Sequence, residues 1–148
     1  MYNKTKIRII IKIVEQNKKH SRKRDAILAC LRATREHPTA EWIYRHVRQE
    51  IPDLSLGTVY RNLSLFVKEG EIQSLGTMAG QERFDGDTSA HAHFVCTHCG
   101  AIQDFATERT QPEEADLAVA KAQGAVITGM QIQFSGLCAD CVKSVFPA

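Results

Sequence analysis

Residues 91–105 read HAHFVCTHCGAIQDF and contain three histidines, two cysteines and one aspartate. Cys96 and Cys99 offer soft thiolates as metal ligands. Asp104 offers a hard carboxylate, and the imidazoles of His91 and His93 are borderline donors. Because soft and hard donors prefer different ions, this stretch predicts ligands for two metal sites. The rest of the chain can then be searched for the groups that complete each site.

The cysteines of this stretch form the first of two CxxC motifs, and Cys138 and Cys141 form the second. A two-residue gap lets both sulfurs of a motif face one ion, and four thiolates suit tetrahedral zinc. Disulfides are less favoured in a reducing compartment, and a redox-active pair would not need the second motif. The spacing therefore predicts a structural zinc ion that stabilises a region with little core of its own.

A second donor set consists of imidazoles and carboxylates. His91 and His93 would point to the same face of a strand, because side chains repeat every two residues. Asp104 on a neighbouring strand can share that face, and Asp85 and His37 are further candidates. Nitrogen and carboxylate donors suit iron(II) or manganese(II), and also zinc, so the donors alone leave the metal open.

The formal net charge of +2 hides an uneven distribution. Residues 1–70 carry 15 Lys and Arg against seven Asp and Glu, whereas residues 71–148 carry four against ten. A basic half indicates a module that binds a polyanion. The alternative is a solvated face on a helix-rich half.

At 148 residues and 43% hydrophobic content, the chain can form one domain or two small ones. It has no uncharged apolar run of about 18 residues, so we expect no membrane span. Charges interrupt the basic, apolar opening stretch, which does not resemble a signal peptide. We expect a cytoplasmic protein whose five cysteines serve metal binding or remain free thiols.

The basic half has the pattern of a winged helix, in which three core helices precede a β-hairpin. Ser55 and Gly70 are predicted to cap a helix that has polar and cationic residues in its first turns. The sequence predicts helices at about 5–17, 21–35, 39–49 and 56–69, followed by a hairpin around Met78-Ala79-Gly80.

Nucleic acid is the usual partner of a winged helix. Arg61 would bond base edges or phosphates in the major groove, and Tyr60 would contact a thymine methyl group. Lys19 and Arg24 would reach the DNA backbone or the minor groove. Alternatively, Tyr60 packs within the protein and Arg61 is solvated. The candidate DNA contacts are Lys19, Arg24, Ser55, Thr58, Tyr60 and Arg61.

The acidic half has the pattern of a small α+β unit. Strands are expected at 91–96 and 101–105, and Pro112 is expected to open a helix that ends near Gln123. Met130, Ile132 and Phe134 alternate with polar residues and predict a half-buried strand. A short helix should follow the second CxxC motif.

Five motifs, HPTAEWIY, SLGTVYRNLSLFVKEG, ERFD, HAHFVCTHCGAIQDF and CADC, resemble the ferric uptake regulator (Fur) family from about residue 17 to the end. The resemblance implies a homodimer that binds a palindromic site on double-stranded DNA. Each protomer would have a winged helix at 1–84, a hinge at 85–92 and a dimerisation and metal-binding domain at 93–148. The implied structural zinc ligands are Cys96, Cys99, Cys138 and Cys141. The implied regulatory iron(II) or manganese(II) ligands are His37, Asp85, His91, His93 and Asp104.

With Asp at position 104, the sequence resembles the peroxide-responsive (PerR-like) branch of that family, because iron-uptake members usually carry Glu at this position. That branch implies oxidation of His37 or His91 by peroxide, loss of metal and release of DNA. The alternative is an iron- or manganese-responsive repressor without an oxidation step.

Two other functional classes fit the sequence less well. The sequence shows no sign of the substrate pocket that a metal-dependent hydrolase would need. A zinc-stabilised interaction module would leave the basic half of the chain unexplained. We therefore expect a regulator and not an enzyme.

Overall fold

The computed structural model describes residues 21–147 and divides into two units between Thr88 and Ser89. We call them the N-terminal unit, which ends at Thr88, and the C-terminal unit, which begins at Ser89. The predicted helix at 5–17 and the candidate DNA contact Lys19 lie outside the described residues. The boundaries predicted at 84/85 and 92/93 stay predictions. Among the described helices, none has the length and apolar character that a membrane crossing requires.

Three helices make up most of the N-terminal unit: α1 (Arg22–Arg32), α2 (Ala40–Val47) and α3 (Leu56–Glu69). Thr39 and Ser55 cap α2 and α3 by accepting hydrogen bonds from backbone N–H groups of the first turn. Gly70 ends α3 in the left-handed conformation, with φ of 73°. All three predicted helices are confirmed, although α1 and α2 end two or three residues early.

The core of this unit is formed by the inward faces of the three helices. Cys30 is fully buried, and burial raises the pKa of its thiol to about 12. Val67 of α3 is 36% exposed. Phe66 occupies the buried stripe of α3, and the next residue is rotated about 100° away from it.

The predicted hairpin is confirmed. Strand β1 (Gln73–Met78) pairs antiparallel with β2 (Gln81–Asp85). Ala79 and Gly80 form the turn, and both have positive φ, at 50° and 79°. A two-residue turn of this kind matches the twist of the strands it joins.

The C-terminal unit contains a three-stranded sheet and two helices. Central strand β3 (Ala92–Cys96) pairs antiparallel with β4 (Ile102–Phe105) and parallel with β5 (Ile132–Gly136). Helix α4 (Glu114–Ala122) precedes β5, and α5 (Ala139–Val145) follows it. The predicted α+β arrangement is confirmed.

The apolar side chains of this unit are poorly covered. Phe134 is 50% exposed and Phe105 is 40% exposed, so the prediction of a half-buried β5 is wrong at Phe134. Helix α4 buries none of its residues and therefore supplies no covering layer. Cys96, Cys138 and Cys141 are the buried centre around which the partly buried apolar residues pack.

Candidate metal centres and nucleic-acid interface

The four predicted zinc ligands lie together in the C-terminal unit. Their sulfur atoms are all within 4.8 Å of one another, and the Sγ atoms of Cys99 and Cys138 are 3.8 Å apart. The first pair lies at the end of β3, where Gly100, with φ of 74°, turns the chain back into β4. The second pair lies at the start of α5. Four converging sulfur donors fit tetrahedral zinc and disfavour hard ions.

Backbone groups prepare one of these sulfurs for metal binding. N–H groups of Cys99 and Cys138 lower the pKa of the Cys96 thiol to about 6, and the Cys138 N–H lies 3.3 Å from the Cys96 sulfur. By contrast, the pKa of Cys141 is raised, first by its hydrogen bond with Cys138 and then by burial. The thiolate form of Cys96 is therefore favoured near neutral pH, and binding of the ion would displace the proton from Cys141.

A second donor cluster lies on the same sheet. His93 on β3 is opposite Asp104 on β4 in the strand register. The Nε2 atom of His91 is 3.0 Å from Nε2 of His93 and 3.4 Å from the Oδ1 atom of Asp104. His93 Nε2 is 3.7 Å from the same carboxylate oxygen. The strands thus bring two imidazoles and one carboxylate to one point, as the period-two pattern predicts.

A backbone carbonyl fixes the orientation of the His91 imidazole. Its Nδ1 atom lies 2.8 Å from the carbonyl oxygen of Ser89. A carbonyl can only accept a hydrogen bond, so Nδ1 donates in this contact, and in the neutral imidazole Nε2 then keeps its lone pair. Metal-binding histidines are commonly held in this way by a second hydrogen bond. The cluster therefore offers ligand atoms of the correct form for a metal ion.

The N-terminal unit contains the other two candidates, His37 and Asp85. The Nε2 atom of His37 lies 3.6 Å from the Oδ2 atom of Asp85, and both residues are buried. His37 precedes the cap of α2 and has a φ of 49°. This left-handed region is uncommon for residues other than glycine and costs on the order of 1–3 kcal/mol. Such strain is typical of functional positions.

The five predicted ligands thus form two donor sets, one in each unit. The N-terminal set supplies one imidazole and one carboxylate, and the C-terminal set supplies two imidazoles and one carboxylate. Mixed nitrogen and oxygen donors suit iron(II) and manganese(II).

The candidate DNA-binding residues of α3 are grouped at its N-terminal end. Ser55 accepts a hydrogen bond from the Thr58 N–H at 3.2 Å, and Arg61 donates to the Thr58 hydroxyl at 3.2 Å. Tyr60 is 42% exposed. Its hydroxyl donates to the Oε1 atom of Glu41 at 2.6 Å. Ser55, Thr58 and Arg61 thus lie together at the start of α3, whereas Tyr60 contacts α2; the start of such a helix is the part that enters a major groove in helix-turn-helix proteins.

Arg24 lies elsewhere. Its guanidinium donates to Glu69 at 2.6 Å and to Glu71 at 2.8 Å, and it lies 4.4 Å from the ring centre of Phe66. Glu69 is the last residue of α3, so this partner of Arg24 lies about 12 Å from Arg61 along the helix axis. The structure does not group Arg24 with the other candidates, and its contact with DNA stays a prediction.

Two residues in these sites have roles that the sequence did not indicate. Glu41 holds the hydroxyl of Tyr60, and this contact lowers the pKa of the Glu41 carboxyl and raises that of Tyr60. Arg83 donates to the backbone carbonyl of His37. Both residues lie in recognisable motifs, HPTAEWIY and ERFD, but the motifs do not reveal these contacts.

Comparison with known proteins gives concordant matches. The model of the ferric uptake regulator family matches residues 15–135. The peroxide-responsive repressor PerR of Staphylococcus saprophyticus is 35% identical over 80% of this chain and 78% of its own. The peroxide operon regulator of Bacillus subtilis is 34% identical over 81% of both. The solved structure of the Helicobacter pylori ferric uptake regulator Fur, which has three functional metal binding sites, is 26% identical. It has a TM-score of 0.67 over 94% of this chain and 93% of that chain.

Proposed function

This chain belongs to the ferric uptake regulator family, and from that membership we propose that it is a DNA-binding, metal-dependent transcriptional repressor that senses peroxide. It is a regulator and not an enzyme. The observation that carries the proposal is the pair of nitrogen and carboxylate donor sets, one in each unit of the chain. We propose that both sets bind a single ion.

A site divided in this way would couple metal binding to DNA binding. A ligand shifts a conformational equilibrium only by its different affinity for the two states. An ion that needs donors from both units would bind best when the units are brought together. His37, Asp85, His91, His93 and Asp104 would hold it, and their mixed donors fit iron(II) or manganese(II).

The cysteine cluster has a different function in this proposal. Cys96, Cys99, Cys138 and Cys141 would hold zinc permanently and replace the core that the C-terminal unit lacks. The reducing cytoplasm, where we place the protein, keeps these thiols available for the metal.

The α3 surface would contact DNA. Arg61 and Tyr60 would meet base edges or phosphates, with Ser55 and Thr58 at the helix start. Repressors of this family bind DNA as dimers, and a dimer would present two such helices to a palindromic operator. Edge strand β5 and the exposed Phe134 are apolar surface that a second copy could cover. Analytical ultracentrifugation measures the mass in solution, and a monomer in that measurement would contradict the proposed dimer.

Peroxide sensing follows from the similarity to peroxide-responsive repressors and from Asp104. Bound iron(II) would supply the reduction of peroxide that leads to oxidation of an adjacent ligand histidine. His91 is held in place by the Ser89 carbonyl, and His37 is held by its strained loop. A modified imidazole would bind the ion poorly, so the two units would separate and DNA would be released.

The test is DNA binding to a palindromic promoter fragment with iron(II), manganese(II) or zinc, before and after peroxide. We expect binding with iron or manganese, and loss of binding only in the iron-loaded sample. Peptide masses from that sample should show added oxygen on His37 or His91. DNA binding that persists after peroxide, with unmodified histidines, would favour the alternative repressor without an oxidation step.

A further inference from the structure

Three consecutive residues of β2 contact the loop that carries His37. The guanidinium of Arg83 donates through Nε to the carbonyl of His37 and through Nη2 to the carbonyl of Glu36, the latter at 2.8 Å. The N–H of Phe84 donates to the carbonyl of Pro38 at 3.1 Å. The carboxylate of Asp85 then faces the His37 imidazole at 3.6 Å. Strand β2 therefore fixes the backbone of the loop, and it also places a carboxylate opposite the His37 imidazole.

The two carbonyls bonded by Arg83 flank the strained residue. A guanidinium is planar and presents its N–H groups in a fixed fork. Bonding the carbonyls of residues 36 and 37 orients the peptide planes on both sides of the His37 Cα atom. Those two planes define φ and ψ of His37, and hence the direction in which its imidazole leaves the backbone. The fork thus opposes relaxation of the φ of 49°.

Strand β2 is well suited to hold such a fork. Phe84 is 3% exposed and packs in the core beside the three helices. The other edge of β2 is paired with β1. A strand anchored by its neighbour and by a buried aromatic ring has little freedom, so Arg83 and Asp85 keep their positions relative to each other.

We propose that Arg83 is a positioning residue that holds His37 in its left-handed conformation and thereby sets the geometry of the regulatory metal ligands. This inference rests on the proposed regulatory site. Arg83 does not touch the ion in this account, and it acts only through the loop carbonyls. Loss of an outer partner of a metal ligand typically weakens metal binding by about 10–100-fold.

The test uses the zinc-loaded full chain and the variant Arg83→Lys, which keeps the charge and removes the fork. Arg22→Lys is the matched control, because Arg22 also donates a guanidinium N–H to a backbone carbonyl, that of Glu50 at 3.3 Å. Manganese(II) affinity is measured by electron paramagnetic resonance. We expect a loss of about tenfold or more in Arg83→Lys and no comparable loss in Arg22→Lys.

A second readout needs no manganese. Nuclear magnetic resonance reports the backbone conformation of His37 from its Cα and Cβ shifts and its amide coupling constant. We expect Arg83→Lys to move these signals away from the left-handed region while the melting temperature stays close to that of the parent. Arg83→Gln, which shortens the side chain and removes the guanidinium fork together with its charge, should show the same two effects.

Several results would overturn the inference. Manganese affinity that is unchanged in Arg83→Lys would do so, as would weaker binding with His37 still left-handed. Failure of both Arg83 variants to melt cooperatively would instead make Arg83 a folding residue. Failure of the proposed regulatory site has a different signature, because His37→Ala would then bind manganese as tightly as the parent. If His37→Ala loses manganese and Arg83→Lys does not, only the role of Arg83 is wrong.

Discussion

The cysteine cluster and the histidine and aspartate donors differ in how the chain assembles them. All four cysteines lie in the C-terminal unit, with their sulfur atoms within 4.8 Å of one another. The histidine and aspartate donors are divided, with His37 and Asp85 in the N-terminal unit and the other three in the C-terminal unit. A metal site contained in one folding unit stabilises that unit. A site divided between two units can report on their arrangement.

The two clusters also differ in what surrounds them. Three of the four cysteines are the buried centre of the C-terminal unit, with the partly buried Phe94, Ala101 and Leu137 packed against them. His37 has a strained backbone conformation within a unit that has a larger apolar core. Strain of this kind in a residue other than glycine often marks a functional constraint. We therefore propose that the first cluster serves stability and the second serves regulation.

The largest expected effect is the loss of the zinc cluster. Cys96→Ser should abolish zinc binding and unfold the C-terminal unit, because structural zinc contributes about 10–16 kcal/mol to folding in small domains. Zinc content and amide spectra measure both effects. Cys30→Ala is the control, since it also removes a buried thiol but should keep its zinc. A folded, zinc-free Cys96→Ser protein would refute the structural role of this cluster.

The next effect concerns the divided site. Asp104→Glu moves the carboxylate outward by about one C–C bond and should slow peroxide oxidation of His37 and His91 while zinc binding is unchanged. Added oxygen is counted by mass spectrometry at fixed times after peroxide. Asp140→Glu, an exposed carboxylate in α5, is the control. Oxidation at the parent rate in Asp104→Glu would show that this carboxylate does not set the response.

A smaller effect separates DNA contact from both metal sites. Arg61→Ala should cost about 1–3 kcal/mol of DNA-binding free energy and leave zinc and manganese binding unchanged. Lys68→Ala removes the same charge from the last turn of α3 and is the matched control. Fluorescence anisotropy with manganese-loaded protein measures the affinities. Equal losses in the two variants would mean that only net charge matters.

The smallest effect is a pH dependence at Glu41. The Tyr60 hydroxyl lowers the pKa of Glu41 in the folded state. Stability from this contact is therefore present above the unfolded pKa and is lost as pH falls through the lowered folded value. Glu41→Gln should lower the melting temperature more at about pH 7 than at about pH 3, as followed by the fluorescence of Trp42. The exposed Glu114→Gln should show no such difference, and an equal decrease at both pH values in Glu41→Gln would contradict the assignment.

The sequence predicted local features well and distant ones less well. The CxxC spacing and the His-x-His alternation predict their clusters because strand and turn geometry act over a few residues. Ser55 and Gly70 bound α3 as expected because capping is a local interaction. These patterns need no knowledge of the rest of the fold.

Features that depend on distant contacts were missed. Pro38 indicates a turn after His37, but the left-handed conformation is held by Arg83, 46 residues further along the chain. The sequence likewise did not indicate the ion pairs of Arg24 with Glu69 and Glu71, and the contact of Arg24 with DNA stays a prediction. Alternation at Phe134 indicates a strand with two different faces, but it cannot tell whether the same chain covers the apolar face.

Manganese stoichiometry tests most directly whether the two donor sets bind one ion. Zinc-loaded parent protein, His37→Ala and His93→Ala are each titrated with manganese(II), and the bound ions per chain are counted by electron paramagnetic resonance. One shared site predicts a single tightly bound ion in the parent and none in either variant. Two ions in the parent, with one retained in each variant, would show that the units bind metal independently and would contradict this account.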